Sequence, residues 1–297
     1  MNVEQVTVIG AGTMGNGIAH CMAQYGHTTT LYDLNRKFLD KAFVVINNNM
    51  DRQIQKGILT AQQKEASLNR IQLTTDSAKA YSQADLIIEA VSEKIEVKKS
   101  VLNEVIQYKP SHCLVASNTS SLSITALAAH LPFPEQCAGM HFMNPVPMMP
   151  LVEIIAGFHT AKETVKTLQI ISKKIGKTPI VVQDSPGFVA NRIVLPMINE
   201  AIETLQQNIS GVREIDQIMK LGMGHPMGPL QLADFIGLDV CLAILEVLHE
   251  ELGQDKYAPA PLLRKMVVAK QLGKKSGIGF YNYQTDSKNP PVAHQFQ

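Results

Sequence analysis

Six residues, Gly10-Ala11-Gly12-Thr13-Met14-Gly15, constrain the fold of this chain more than any others. They stand between the apolar run Val6-Thr7-Val8-Ile9 and a stretch with Ile18, Ala19, Met22 and Ala23 at helical spacing, which Gly26 stops. The β-branched run Thr28-Thr29-Thr30-Leu31-Tyr32 then ends in Asp33. A strand, a glycine turn, a helix and a second strand make a βαβ unit, and in that context each glycine has a task. Gly10 permits the tight turn, Gly12 lets the backbone approach a pyrophosphate, and Gly15 lets helix and strand pack closely. Unpaired N–H groups at the helix start attract phosphate charge. Asp33 stands where an acid binds both ribose hydroxyls and repels a 2′-phosphate, so the unit predicts NAD in preference to NADP.

Beyond Asp33, Phe38, Ala42, Val45, Ile46 and Met50 mark a long amphipathic helix, and Thr60 with Gln63 forms a capping box that opens another. Residues 36–70 thus read as a helical arm inserted after the second strand. Strand signals return at 71–74, 85–91, 113–117, 138–142, 151–156 and 179–183, and their alternation with helical stretches implies a parallel sheet covered on both faces. After Asp184-Ser185-Pro186-Gly187 the strand signals stop. Residues 188–207, 212–221, 229–236 and 239–252 read as helices separated by Gly and Pro, with Pro196 expected to kink the first. The expected division is a nucleotide-binding domain over 1–186 and an all-helical domain over 187–297, with a poorly ordered tail from Asp286.

Composition narrows the class. The net charge is +1, with both signs mixed along the chain, so nothing favours nucleic acid or a membrane surface as partner. No apolar run reaches the roughly 18–20 residues that span a bilayer. Cys21, Cys113, Cys137 and Cys241 sit in apolar runs and form no C-x-x-C pair, which argues for buried thiols, no metal and a reducing compartment. The chain enters its first strand with no room for a signal peptide, and a cytoplasmic protein is expected.

Two segments carry candidate chemistry. In Met140-His141-Phe142-Met143-Asn144-Pro145-Val146-Pro147, followed by Pro150-Leu151-Val152-Glu153, an imidazole and a carboxylate lie 12 residues apart with prolines stiffening the turn between them. A carboxylate that holds one ring nitrogen makes the other a directed base near neutral pH. Ser117-Asn118-Thr119-Ser120-Ser121-Leu122 follows a buried strand. It reads either as a capped helix start or as a polar ligand site at the carboxyl edge of the sheet.

These segments resemble the L-3-hydroxyacyl-CoA dehydrogenase family. So do Pro186-Gly187-Phe188-Val189-Ala190-Asn191-Arg192, Lys220-Leu221-Gly222, Pro226-Met227-Gly228-Pro229 and Gly273-Lys274-Lys275-Ser276-Gly277-Ile278-Gly279-Phe280-Tyr281, in order and at matching spacing over residues 3–283. The compact length is similar to the monofunctional branch that acts on 3-hydroxybutyryl-CoA in fatty-acid and butanoate metabolism. The resemblance implies an α/β fold: a Rossmann-type, mostly parallel sheet with an inserted helical arm, plus an all-α C-terminal domain. It implies His141 as acid–base, Glu153 as its orienting partner, and Ser120 and Asn191 as hydrogen-bond partners of the reacting oxygen or the thioester region.

By the same resemblance, Gly10 to Gly15, Asp33, Glu93, Lys98, Ser120, Asn144 and Lys275 line the NAD site. Lys56 and Asn49 contact coenzyme A, although Asn49 stands where some relatives have serine. The acyl-CoA thioester is the implied substrate, and a homodimer through the helical domain the implied assembly. Apolar residues on several helical faces there (Ile193, Leu195, Met197, Ile198, Ile202, Leu242, Leu245 and Leu248) suit either a core or such an interface. Two other readings are open at this point. One is a different β-hydroxyacid dehydrogenase, whose relatives place a lysine base in the helical domain. The other is a non-catalytic NAD-binding structural protein, against which Ser120, His141, Glu153 and Asn191 argue together.

Overall fold

A computed structural model describes residues 2–297. The chain forms two compact units, Met1–Ser185 and Pro186–Gln297.

The first unit is built on one sheet. Its elements in chain order are β1 (Gln5–Ile9), α1 (Thr13–Gln24), β2 (Thr28–Tyr32), α2 (Arg36–Gln55), α3 (Ala61–Leu68), β3 (Ile71–Thr74), α4 (Ser77–Tyr81), β4 (Leu86–Glu89), α5 (Ile95–Tyr108), β5 (Leu114–Ser117), α6 (Ile124–Ala128), β6 (Cys137–Phe142), β7 (Leu151–Ala156), α7 (Lys162–Lys174) and β8 (Thr178–Gln183). The strand order is β3-β2-β1-β4-β5-β6-β7-β8, and every neighbouring pair is parallel except β6 with β7. The mostly parallel sheet expected from the sequence is therefore present. The antiparallel step has a simple cause: a parallel crossover needs a dozen or more residues, and the 143–150 segment is shorter than that. β4, β5 and β6 are buried along their whole length, as strands covered on both faces must be.

The inserted arm is α2 and α3. Asn35 caps α2 by accepting from Lys37 N–H, and the Thr60/Gln63 capping box forms in full. Leu39, Ala42, Ile46 and Met50 make the buried face of α2. Phe38, expected on that apolar face, is instead 55% exposed. It lies one residue off the buried row and turns toward a cavity described below.

The second unit contains α8 (Ala190–Gln206), α9 (Val212–Met223), α10 (Pro229–Ile236), α11 (Leu238–Leu252) and α12 (Pro261–Val268). Gly237, at φ +104, separates α10 from α11 in a conformation that other residues rarely adopt. Helix α8 continues through Pro196. Helix α12, absent from the sequence expectation, spans 8 residues. Leu195, Ile198, Ile202, Leu245 and Leu248 are core residues, whereas Ile193 is exposed. The tail from Asp286 departs from the expected disorder. Val292 bridges to Tyr281, Ala293 is buried and the Phe296 ring lies 5.6 Å from that of Phe280.

Two buried acids organise this unit. Asp216 on α9 accepts from Leu230 N–H, Gln231 N–H and the Tyr281 hydroxyl. Asp234 on α10 accepts from Phe280 N–H, Tyr281 N–H and the Tyr283 hydroxyl. Burial raises both carboxyls, and Asp234 is pushed up to about 7 against the hydrogen bonds that oppose it.

Candidate active site

The carboxyl ends of β1 and β2 open onto a cavity of about 750 Å³. Its walls are the 10–14 glycine turn, Asp33, the Phe38, Lys41, Val45 and Asn49 face of α2, and Asn144 to Pro147. Gly10 has φ +98, and a side chain there would meet the Ala90 carbonyl. A Cβ on Gly15 would collide with the Gly10 carbonyl oxygen, which forces glycine where α1 crosses the turn. At Gly12 a Cβ would meet only open space, so no contact within the chain requires glycine there. No side chain caps the start of α1 and no acid stands in its first turn. An open helix N-terminus facing a hollow fits an anionic pyrophosphate.

Asp33 completes the fit. One of its oxygens accepts from Ala11 N–H at 2.9 Å and the other from Asn35 N–H at 3.0 Å, which fixes the carboxylate at the rim of the turn. A second hollow of about 640 Å³ begins at Asp33 and runs between Leu34 and the Val97, Val101 and Glu104 face of α5. Its apolar sides suit a flat base. These residues fit a dinucleotide with its pyrophosphate at the glycine turn and its ribose at Asp33.

The candidate proton-transfer pair arises from sheet register. His141 on β6 and Glu153 on β7 are directly opposed across the antiparallel pair. The imidazole Nδ1 lies 2.8 Å from Glu153 Oε2, and the two residues are 6% and 3% exposed. Donation of the Nδ1 proton to the carboxylate selects the tautomer in which Nε2 accepts. β6 is pinned beside this pair by Asn118, whose side-chain oxygen accepts from Phe142 N–H at 2.9 Å.

The segment carrying Ser120 is set by a charge network. The Lys98 ammonium is fully buried and contacts both oxygens of the buried Glu89, at 2.7 and 2.9 Å, and Glu93 at 3.2 Å. Glu89 also accepts from Val91 N–H and the Ser117 hydroxyl. Glu93 accepts from the Thr119 hydroxyl at 2.6 Å and from Ser120 N–H at 2.7 Å. Burial pushes the Glu93 carboxyl up, but the Lys98 charge and these hydrogen bonds outweigh it and hold the group below its ordinary value.

The remaining sequence candidates are dispersed. Asn49 is half-buried in the cavity wall and accepts from Arg52, while Lys56 is exposed at the end of α2. Asn144 is exposed and lines the cavity. Lys98 is enclosed by its two glutamates rather than facing either hollow. In the second unit, Asn191 stands in the first turn of α8 and Lys275 forms an ion pair with Asp239. Sequence reasoning missed Glu89, Ser117 and Thr119 as members of the network, and Asn118 as the anchor of β6. The available signal was an acid and a serine ending adjacent apolar strands.

Two family models match. The NAD binding domain of 3-hydroxyacyl-CoA dehydrogenase covers residues 5–185, and the C-terminal domain of the same family covers 187–283. The chain belongs to the 3-hydroxyacyl-CoA dehydrogenase family. It is an oxidoreductase that uses NAD, as the glycine turn and Asp33 lead one to expect. A probable 3-hydroxybutyryl-CoA dehydrogenase of Deinococcus radiodurans is 51% identical over 93% of this chain and 99% of the relative. The 3-hydroxybutyryl-CoA dehydrogenase of Bradyrhizobium diazoefficiens is 48% identical over 95% of this chain and 96% of the relative. The crystal structure of (S)-3-hydroxybutyryl-CoA dehydrogenase from Ralstonia eutropha superposes with a TM-score of 0.92 at 44% identity, covering 95% of this chain and all of that one. Among the described residues no helix is long and apolar enough to cross a membrane, and no group of three His, Cys, Asp or Glu could hold a metal ion.

Proposed function

We propose that this dehydrogenase oxidises the 3-hydroxyl of (S)-3-hydroxybutyryl-CoA to the ketone and runs the reverse reduction, with His141 as acid–base. The His141–Glu153 pair carries the reading: a buried 2.8 Å contact on the strands whose connecting loop walls the cofactor cavity. The short-chain thioester is supported by the names of the relatives. In the oxidation, His141 Nε2 takes the hydroxyl proton as the C3–H electron pair leaves as hydride and the C=O bond forms. NAD supplies the hydride acceptor. Glu153 stays ionised, holds the ring's orientation and stabilises the imidazolium. Ser120 and Asn191 are read as hydrogen-bond partners of the substrate oxygens, Lys56 and Asn49 as contacts of the coenzyme A end, and Asn144 and Lys275 as contacts of the cofactor.

The assay is oxidation of NADH by acetoacetyl-CoA. His141→Ala should lower turnover by about 10²–10⁴-fold while leaving NADH binding intact. Near-normal turnover in that variant removes His141 from the role, and activity on free 3-oxo acids but not thioesters removes the substrate class. Rates across acyl chains from four to sixteen carbons test the short-chain preference. A homodimer in the cytoplasm completes the proposal. Exposed Ile193, Ile218, Leu221 and Met223 on the second unit support the dimer, and sedimentation of a monomer at micromolar concentration would contradict it.

A further inference from the structure

Lys177, between α7 and β8, is an unusual buried group. Its residue is 8% exposed, and its ammonium donates to the Val146 carbonyl at 2.5 Å and the Met149 carbonyl at 2.8 Å. Among the described residues no carboxylate lies within ion-pair distance of it, although a buried ammonium ordinarily has one. Both acceptors belong to the loop that joins β6 to β7.

That loop has two further anchors. Thr178 N–H donates to the Pro150 carbonyl at 2.7 Å, which fixes its exit beside Lys177. The loop also lies against α1 at Gly17, where a Cβ would stand 2.8 Å from Val146 Cβ. Asn144 to Pro147 are cavity wall, and Gly17 lines the same cavity. The loop is thus held both by a helix that begins at the pyrophosphate turn and by a lysine that bonds its backbone.

We propose that Lys177 is a positioning residue for cofactor binding: its ammonium sets the 143–150 loop so that the Asn144–Pro147 wall meets the bound dinucleotide. A charged donor has a physical advantage here. One ammonium satisfies two carbonyls of a tight loop at once, and hydrogen bonds with a charged partner are shorter and stronger than neutral ones. A thioether in its place fills the volume but leaves both carbonyls without a donor.

The test is NADH binding by fluorescence titration, which needs no thioester and so does not depend on the proposed substrate. In Lys177→Met the dissociation constant should rise by about tenfold or more at a temperature well below the thermal midpoint. A residue that only stabilises the fold would lower the midpoint and leave NADH affinity unchanged, and that result overturns the proposal. Gly17→Ala presses on the same loop from α1 and keeps the question answerable if Lys177→Met does not fold. Its added methyl points at Val146, and it should weaken NADH binding in the same direction. A folded Gly17→Ala protein with the affinity of the parent would show that the loop's position does not matter to the cofactor, and would equally overturn the proposal.

Discussion

Each unit ties a pair of acids into a hydrogen-bonded network, and the two networks treat the acids' charge differently. In the first unit Glu89 and Glu93 share the Lys98 ammonium, and Glu93 is held below its ordinary value. In the second, Asp216 and Asp234 meet only N–H and hydroxyl donors at hydrogen-bond distance, and both are raised. A cation keeps a carboxylate ionised, whereas neutral donors only soften the cost of burial. The first pair ends at the segment that carries Ser120, whose N–H Glu93 holds. The neutralisable pair fastens residues 280–283 to α9 and α10, where its task is architectural.

Removing Lys98 should break this contrast most severely. Lys98→Met leaves Glu89, 1% exposed, without its cation, and should cost about 3–5 kcal/mol in urea unfolding. A loss below about 1 kcal/mol would mean that the acids of the first unit, like those of the second, manage on neutral donors alone.

The next effect is one of sign. Folded Asp234 titrates at about 7 against an ordinary value of 3.8. Between these values the folded state keeps a proton that the unfolded state has released. Its stabilising contribution is therefore complete below about pH 4 and is lost as pH rises through 7. Glu93 is shifted downward, so its contribution is present above its ordinary 4.5 and is lost as pH falls through the lower folded value. Unfolding of the two units, followed from pH 3 to 8, should show opposite slopes. Asp234→Asn should flatten the slope of the second unit and cost about 1–3 kcal/mol, because an amide cannot accept from all three donors. A slope unchanged by that variant would assign the titration elsewhere.

The smallest change probes one bond of the first network. Thr119→Val removes a hydroxyl that donates to Glu93 and accepts from Leu122 N–H. About 1.5 kcal/mol of stability should go with it, since the acceptor is charged. Because Glu93 also holds Ser120 N–H, the KM for acetoacetyl-CoA should rise more than that for NADH. Equal KM values in variant and parent would confine the network to stability.

Much of this was legible before folding. The 10–15 turn, the Thr60/Gln63 cap and the first four helices of the second unit depend on contacts within a few residues, which a periodic pattern records directly. The His141–Glu153 pair was legible for a related reason: 12 residues with a proline-stiffened turn suit two opposed strands. Lys98 was not legible in the same way. Its residue type suggested a cofactor contact, but its partners come from the end of β4 and the loop before α5, and only their convergence reveals a buried ion pair. Phe38 and the C-terminal tail were misjudged because their environment is supplied by segments far away in sequence.

The sequence by itself determined the βαβ dinucleotide turn, the preference for NAD and the candidate acid–base pair, because each is written in residues whose spacing already enforces their geometry. The tertiary structure decided which charges are paired and which are merely buried: Lys98 with its glutamates, Asp216 and Asp234 with only N–H and hydroxyl donors at hydrogen-bond distance, and Lys177 on backbone carbonyls. The reason is that desolvation and pairing are properties of the packed surroundings, which bring together groups 65 positions apart, as in the bond between Asp216 and Tyr281.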